Sequence, residues 1–303
     1  MPPYVENDLV FHEADTFEYN PFDRYCAAEI EVANMDDQGN NRLIKVANDW
    51  SASIVRDGSL PSTGFEINTA PATGDSFTTQ INALCDTMKA NKALVENSCG
   101  LHVHIDARDF SAADIAKYAA LWRKIENTMF SLVPTYRNSH YSKVLGNRLE
   151  MPLLMLNARN STSRLADKVY ASGAGTRLED YRHRSKPCER YYAVNLHSWF
   201  HRGTVEIRMH HGTIDAKKIL NWSILNMSIL ESSRNLTASE LNNPEFLKSD
   251  EDKLAFIVAV SPPHIREWII DTYNFFTQKD GEFIFQATKR HECLERSEPQ
   301  FNA

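Results

Sequence analysis

The sequence predicts an α+β chain, a sheet of short strands covered by amphipathic helices. Three observations carry that expectation. Six short segments alternate apolar and polar residues with the period of two that a half-buried strand requires. Longer segments repeat apolar residues at helical spacing. The two kinds interleave, punctuated by Gly, Pro and Asp, with no internal repeat, low-complexity tract or flexible linker. A helix with one apolar stripe needs a flat apolar surface to cover, and the strands supply it.

The strand-like segments are 27–32, 52–55, 64–69, 100–106, 192–197 and 204–210. Between them, 77–96 carries Ile81, Leu84, Met88 and Val95 on one helical face. Segment 111–132 opens on Ser111-Ala112-Ala113-Asp114, an N-cap arrangement, and Pro134 supplies its stop. Asp215 precedes a third long helix with Ile219, Leu220, Leu225, Met227 and Leu230. A shorter helix is expected near 253–260, and Pro262-Pro263 introduces another over 264–276 whose Ile265, Trp268, Ile269 and Tyr273 face inward. Within the less regular stretch 138–187, a short helix is expected over 159–170 and a turn at Ser172-Gly173-Ala174-Gly175. Residues 181–186 form a basic run, either a solvated turn or a loop over an anionic substrate.

The chain has 303 residues, of which 42% are hydrophobic, enough to bury a sizeable core. Length allows one large domain or two, and the lack of a linker favours one domain over 1–303. A net charge of -7 argues against an extended nonspecific grip on nucleic acid, which needs Lys and Arg on many phosphates, while leaving room for a local basic pocket. No apolar run is long enough for a membrane span. The five cysteines show no paired spacing, and Glu6 and Asp8 stand where a secretory signal would be basic and then apolar, so a cytoplasmic location is expected. Neither a P-loop nor a dinucleotide glycine series is present. Cys99 lies close to His102 in sequence, but a packed cysteine is the simpler reading.

The chemistry gathers on one side of the strands. Residues two apart share a face, so Glu29 and Glu31 project together while Ile30 and Val32 pack. The same period sets Glu66 beside Asn68, His102 and His104 beside Asp106, and Glu206 and Arg208 beside His210. One such pair is ordinary solvent-exposed alternation; four strands repeating it with Glu, His and Arg describe a reaction face. Carboxylates suit hard divalent ions, which makes Glu29, Glu31, Glu66 and Glu206 the metal-ligand candidates, joined by His104 or His102. His104 is favoured slightly, and either histidine could instead orient a carboxylate. The donor fork of Arg208 suits a phosphate, with an ion pair to Glu206 as the alternative.

Read together, these residues resemble the amidoligase family within the glutamine synthetase and glutamate-cysteine ligase-like superfamily. The resemblance rests on AAEIEV at 27–32, RDGSL at 56–60 followed by GFEINTAP at 64–71, SCGLHVHID at 98–106, RYYAVNL at 190–196 and TVEIRMHHGTID at 204–215. Their order is more specific than any one block. The first reads AAEIE where the pattern more often reads GxExE, with both carboxylates kept. The resemblance implies a glutamine synthetase-like catalytic domain with a curved, mainly antiparallel sheet. Its catalytic body would span about 27–234, and a helical support region about 250–303. It implies ATP and Mg2+ (or Mn2+) as cofactors, with Glu29, Glu31, Glu66, Glu206 and His104 or His102 around the metal. It also implies Arg208, Arg190 and Asn195 as contacts to phosphate or substrate carboxylate.

The implied reaction is ATP-dependent ligation of a carboxylate to an amine, forming an amide or isopeptide bond through an acyl phosphate. Phosphorylation removes the carboxylate's charge and gives it a leaving group. Arg208 would stabilise the transferring phosphoryl group, and Glu66 or Asp57 would take the amine proton. The partners are a small-molecule or peptide carboxylate and an amine, without extended nucleic acid or membrane, and with homo-oligomerisation left open. Two other readings use the same face: a metal-dependent hydrolase of an amide or phosphate ester that activates water, and a noncatalytic protein that binds an acidic metabolite.

Overall fold

The structure, a computed structural model, describes residues 23–146, 151, 153–157, 161–170 and 188–277. The expected turn at 172–175, the basic run at 181–186, the first residues and the end of the support region lie outside them. In chain order the elements are β1 (Cys26–Val32), α1 (Asp37–Asp49), β2 (Ser53–Val55), β3 (Phe65–Asn68), α2 (Gly74–Ala90), β4 (Gly100–Asp106), α3 (Ala112–Phe130), α4 (Thr162–Tyr170), β5 (Val194–Asn195), α5 (His197–Arg202), β6 (Thr204–His211), α6 (Ala216–Asn235), α7 (Ala238–Asn242), α8 (Asp250–Val260) and α9 (Pro263–Thr277).

The strands form one six-stranded sheet in the order β2-β3-β1-β4-β6-β5, antiparallel at each pairing. Helices cover it, so the α+β expectation holds. The curved sheet implied by the resemblance does not: this sheet is open and not strongly curled. Curling needs repeated bulges or glycine kinks along long strands. Here the register breaks at one place, between β4 and β6, and the edge strands span only three and two residues.

Alternation does what the sequence predicts on the central strands. Ile30, Val32, Ile67, Leu101, Val103, Ile105, Val205 and Ile207 are almost wholly buried and belong to one apolar cluster with Ile81, Leu84, Ile115, Trp122, Trp222 and Leu225 from α2, α3 and α6. Ser111 caps α3 through a full capping box with Asp114, and the Asp215 side chain caps α6. These caps satisfy amide groups that a helix start leaves without partners.

Three differences have local causes. Helix α1 is not among the expected helices and has Gly39-Asn40-Asn41, residues of weak helix propensity, in its first turns. It forms because the Asp36 side chain caps it at Gly39 and because Gly39 packs tightly: a Cβ there would lie 2.7 Å from Asn91 Cβ. The strand expected at 192–197 shrinks to Val194–Asn195 because His197–Arg202 turns into α5, closed by Gly203 in the left-handed region at φ 73°. On β6, Leu101 pairs with His210 and Val103 with Ile207, so Arg208 and Met209 together oppose His102. That bulge shifts the alternation by one. His210, expected beside Glu206 and Arg208, instead shares the side of Leu101, with its ring centroid 4.8 Å from that of Trp222.

Candidate functional site

The second face of the same central strands is polar and largely closed to solvent. Antiparallel register sets Glu31 opposite Glu66, Glu29 opposite His102, and His104 opposite Glu206. Directly opposed side chains project to the same face, so three strand pairs deliver six groups to one patch. Glu31, Glu66, His102, His104 and Glu206 are each less than a tenth exposed. The Glu29 side chain is a little more open, at 17%.

His102 sits at the centre. Its Nδ1 lies 2.9 Å from Glu29 Oε2 and 3.9 Å from Glu206 Oε1, and its Nε2 lies 3.9 Å from Glu31 Oε1. Two triads result, Glu29–His102–Glu206 and Glu31–Glu66–His102, each offering three ligand atoms within 4.8 Å of one another. His104 belongs to neither triad. Its Nε2 approaches Glu29 Oε1 at 3.1 Å, while its Nδ1 is occupied by the Thr204 hydroxyl at 3.1 Å and the Ser198 hydroxyl at 3.4 Å. That geometry favours His102 at the ligand positions and gives His104 the posture of a histidine that orients a carboxylate.

The charges are arranged asymmetrically. Burial alone would raise the Glu29 carboxyl, but the His104 and His102 rings hold it well below the usual range. Glu206 is likewise held down against burial by the Arg208 guanidinium and His104. The Glu206 and Glu29 carboxylates outweigh the opposing effect of burial and raise His104. Glu66 goes the other way: burial, then the charge of Glu29, push it up to about 7. Carboxylates crowded out of water resist ionising together, and Glu66 is the one that yields.

Of the remaining expected residues, Arg208 and Asn195 both contact Glu206. Arg208 donates to Glu206 in a very close pair, and its Nε is buried without a hydrogen-bond partner among the described residues. Asn195, opposite Glu206 on β5, donates to Glu206 Oε2 at 2.6 Å and leaves Oδ1 without one. Arg190, just before β5, lies over the Tyr191 ring with its Nε also unsatisfied. Asp57, in the β2–β3 connection, accepts from the Ser59 amide at 2.7 Å and hydroxyl at 2.8 Å, which outweigh burial and hold its carboxyl below the ordinary value. Cys99 is fully buried, and burial pushes its thiol up to about 11, in keeping with a packed cysteine.

Three further residues escape a sequence reading. Gly100 donates its amide to Glu31 Oε2 at 2.5 Å, and a Cβ on it would lie 2.9 Å from Arg137 Nη2, 3.1 Å from His102 Nε2 and 3.4 Å from Glu31 Oε2. The missing side chain leaves a cradle among those three groups. Arg137, in the turn Thr135–Arg137, reaches the site from outside the sheet. Arg202, at the end of α5, stands half-exposed with Nη1 3.8 Å from Glu29 Oε1. Pro134 signals the turn that carries Arg137, but no local pattern announces the reach of either arginine.

The antiparallel sheet thus presents carboxylates and a shared histidine in two triads that could hold a metal ion. The family itself follows from residues 16–230, which match the model described as "Putative amidoligase enzyme"; the chain belongs to that family. No curated protein matches the chain significantly. Among solved structures, the crystal structure of a novel glutamine synthase homolog is similar at 12% identity and a TM-score of 0.42, covering 90% of this chain and 70% of its own. No helix among the described residues is long and apolar enough to cross a membrane.

Proposed function

We propose that this chain is an ATP-dependent carboxylate-amine ligase that forms an amide or isopeptide bond through an acyl phosphate and releases ADP and phosphate. The observation that carries the reading is the pair of triads sharing His102, in a chain of the amidoligase family.

The residues fit a hard divalent ion such as Mg2+ or Mn2+. The donors are carboxylate oxygens with one imidazole, and Asn195 Oδ1 is buried without a donor. Glu29, Glu31, Glu66, Glu206 and His102 would hold the metal, with His104 orienting Glu29. A bound ion would supply positive charge against the triphosphate oxygens.

The chain's own groups account for the rest. Arg208 offers a planar donor fork to the transferring phosphoryl group, and Arg190 and Asn195 lie along the same edge to position phosphate or substrate carboxylate. The substrate carboxylate oxygen attacks the terminal phosphorus of ATP, the bond to ADP breaks, and an acyl phosphate forms. The amine nitrogen then attacks the acyl carbon, the carbon–oxygen bond to phosphate breaks, and the amine gives up a proton. Glu66 would receive that proton; Asp57, which accepts from Ser59, is the alternative. The partners would be a small-molecule or peptide carboxylate and an amine.

The test is turnover of pooled acids and amines with Mg2+, with and without ATP, followed by mass spectrometry. Substrate-dependent ADP together with an amide that forms only when ATP is present supports ligation. Cleavage of a substrate without ATP would replace this reading with a metal-dependent hydrolase. Undiminished ligand binding after E29Q/E31Q, with no turnover by the unaltered protein, would replace it with a binding protein.

A further inference from the structure

We propose that Arg137 is a positioning residue for Arg208, and through it for the phosphate end of the site; this deepens the ligase reading and rests on it. Arg137 is 7% exposed and sits in a turn that belongs to neither strand it touches. Its guanidinium bridges β4 and β6 by donating to three main-chain carbonyls. Nη2 reaches Arg208 O at 3.0 Å, Nε reaches Met209 O at 3.3 Å, and Nη1 reaches Cys99 O, just before β4, at 3.4 Å.

Two of those carbonyls belong to the residues that together oppose His102, which are the bulge itself. A bulge takes main-chain groups out of the ladder, and buried carbonyls need donors from elsewhere. A planar group with five N–H donors serves several carbonyls at fixed angles, which a lysine ammonium cannot do. The clamp therefore fixes the backbone from which the Arg208 side chain departs toward Glu206. The guanidinium also borders the reaction face directly, since Nη2, His102 Nε2 and Glu31 Oε2 all surround the Gly100 cradle. Arg137 thus ties three things to one rigid group: the bulge, the aim of Arg208 and the floor beside Glu31.

The test uses R137K, which keeps the charge and loses the fork, compared with R208K and with R137K/R208K. Three quantities are read: hydrogen exchange of the 204–211 and 26–32 segments, Mn2+ affinity by calorimetry, and kcat/KM for ATP. In R137K, exchange over 204–211 should rise about tenfold with 26–32 unchanged, and Mn2+ affinity should stay within about threefold. The kcat/KM for ATP should fall about tenfold to a hundredfold, the usual cost of a small misplacement. The double variant should be little worse than R208K alone, because one residue acts through the other. Unchanged exchange over 204–211, a wild-type kcat/KM in folded R137K, or losses that multiply in the double variant would each overturn the proposal. If the unaltered protein turns over nothing, the ligase reading falls, and the exchange comparison still decides the clamp. If R137K does not fold, protection of the Arg137 Nε–H proton in the unaltered protein decides instead; free exchange there removes the clamp.

Discussion

The two faces of β1 and β4 are built from alternate residues of the same strands, yet they obey different rules. On one, Ile30, Leu101 and Val103 are wholly buried against helices, a close-packed apolar core. One residue along, Glu29, Glu31, His102 and His104 are also mostly buried, but among charges that conflict. Glu66 is held up to about 7 by burial and by Glu29, and two arginines keep donors or carbonyl contacts away from solvent. The first face is arranged for stability. The second sets ion pairs that favour the charges of Glu29, Glu206 and His104 against one carboxyl, Glu66, that burial and Glu29 disfavour.

That contrast can be broken from either side. The largest effect should come from the packed face: Leu101→Ala should cost about 2–5 kcal/mol in chemical unfolding while leaving the metal affinity of the folded fraction unchanged. On the opposite face, Glu29→Gln should weaken Mn2+ binding by about 100-fold or more in calorimetry. Acid sensitivity should come from both faces: the depressed Glu29 and Glu206 carboxyls lose their contribution as they are protonated, and two buried histidines add to it. Burial drives His210 down to about 3 and His211 well below the usual histidine range, so both are neutral in the fold. The unfolded chain takes up those protons near pH 6.5. The stability their neutral forms contribute is full above 6.5 and is lost as pH falls below it, for His210 down to about 3. A His210→Phe variant that kept the whole slope in pH-dependent denaturation would contradict this.

Two smaller effects sharpen the comparison. Gly100→Ala should fill the cradle and weaken metal binding about tenfold, by crowding Arg137, His102 and Glu31. Glu66→Gln should move the two properties in opposite directions at pH 8. Because the folded carboxyl is raised, its charge costs stability above the unfolded pKa, so removing it should stabilise the metal-free protein by about 1 kcal/mol. Metal affinity should drop in the same variant, and a metal-free protein that loses stability would refute the electrostatic account.

The polar face was legible in sequence because its information is local. Glu29 and Glu31, or His102 and His104, are two residues apart, and a period of two is enough to place them together. Which strands would be neighbours was not local, yet the registers Glu31 to Glu66 and His104 to Glu206 brought the expected residues into one patch. Three things stayed hidden. The bulge at Arg208 and Met209 has no glycine or proline to mark it, so His210 reads as a member of the wrong face. Arg137 works through main-chain carbonyls, which carry no residue signature. Helix α1 depends on tertiary packing of Gly39 against Asn91, which overrides weak helix propensity in the Gly-Asn-Asn stretch.

The short borders of the sheet carry a consequence for how copies of this chain could meet. An exposed strand edge is a template on which another chain can add a strand, and long flat edges drive aggregation. Here β2 contributes three residues to one border and β5 two to the other. Neither gives an incoming strand much to zip onto, so the described residues resist growth into a continuous intermolecular ribbon.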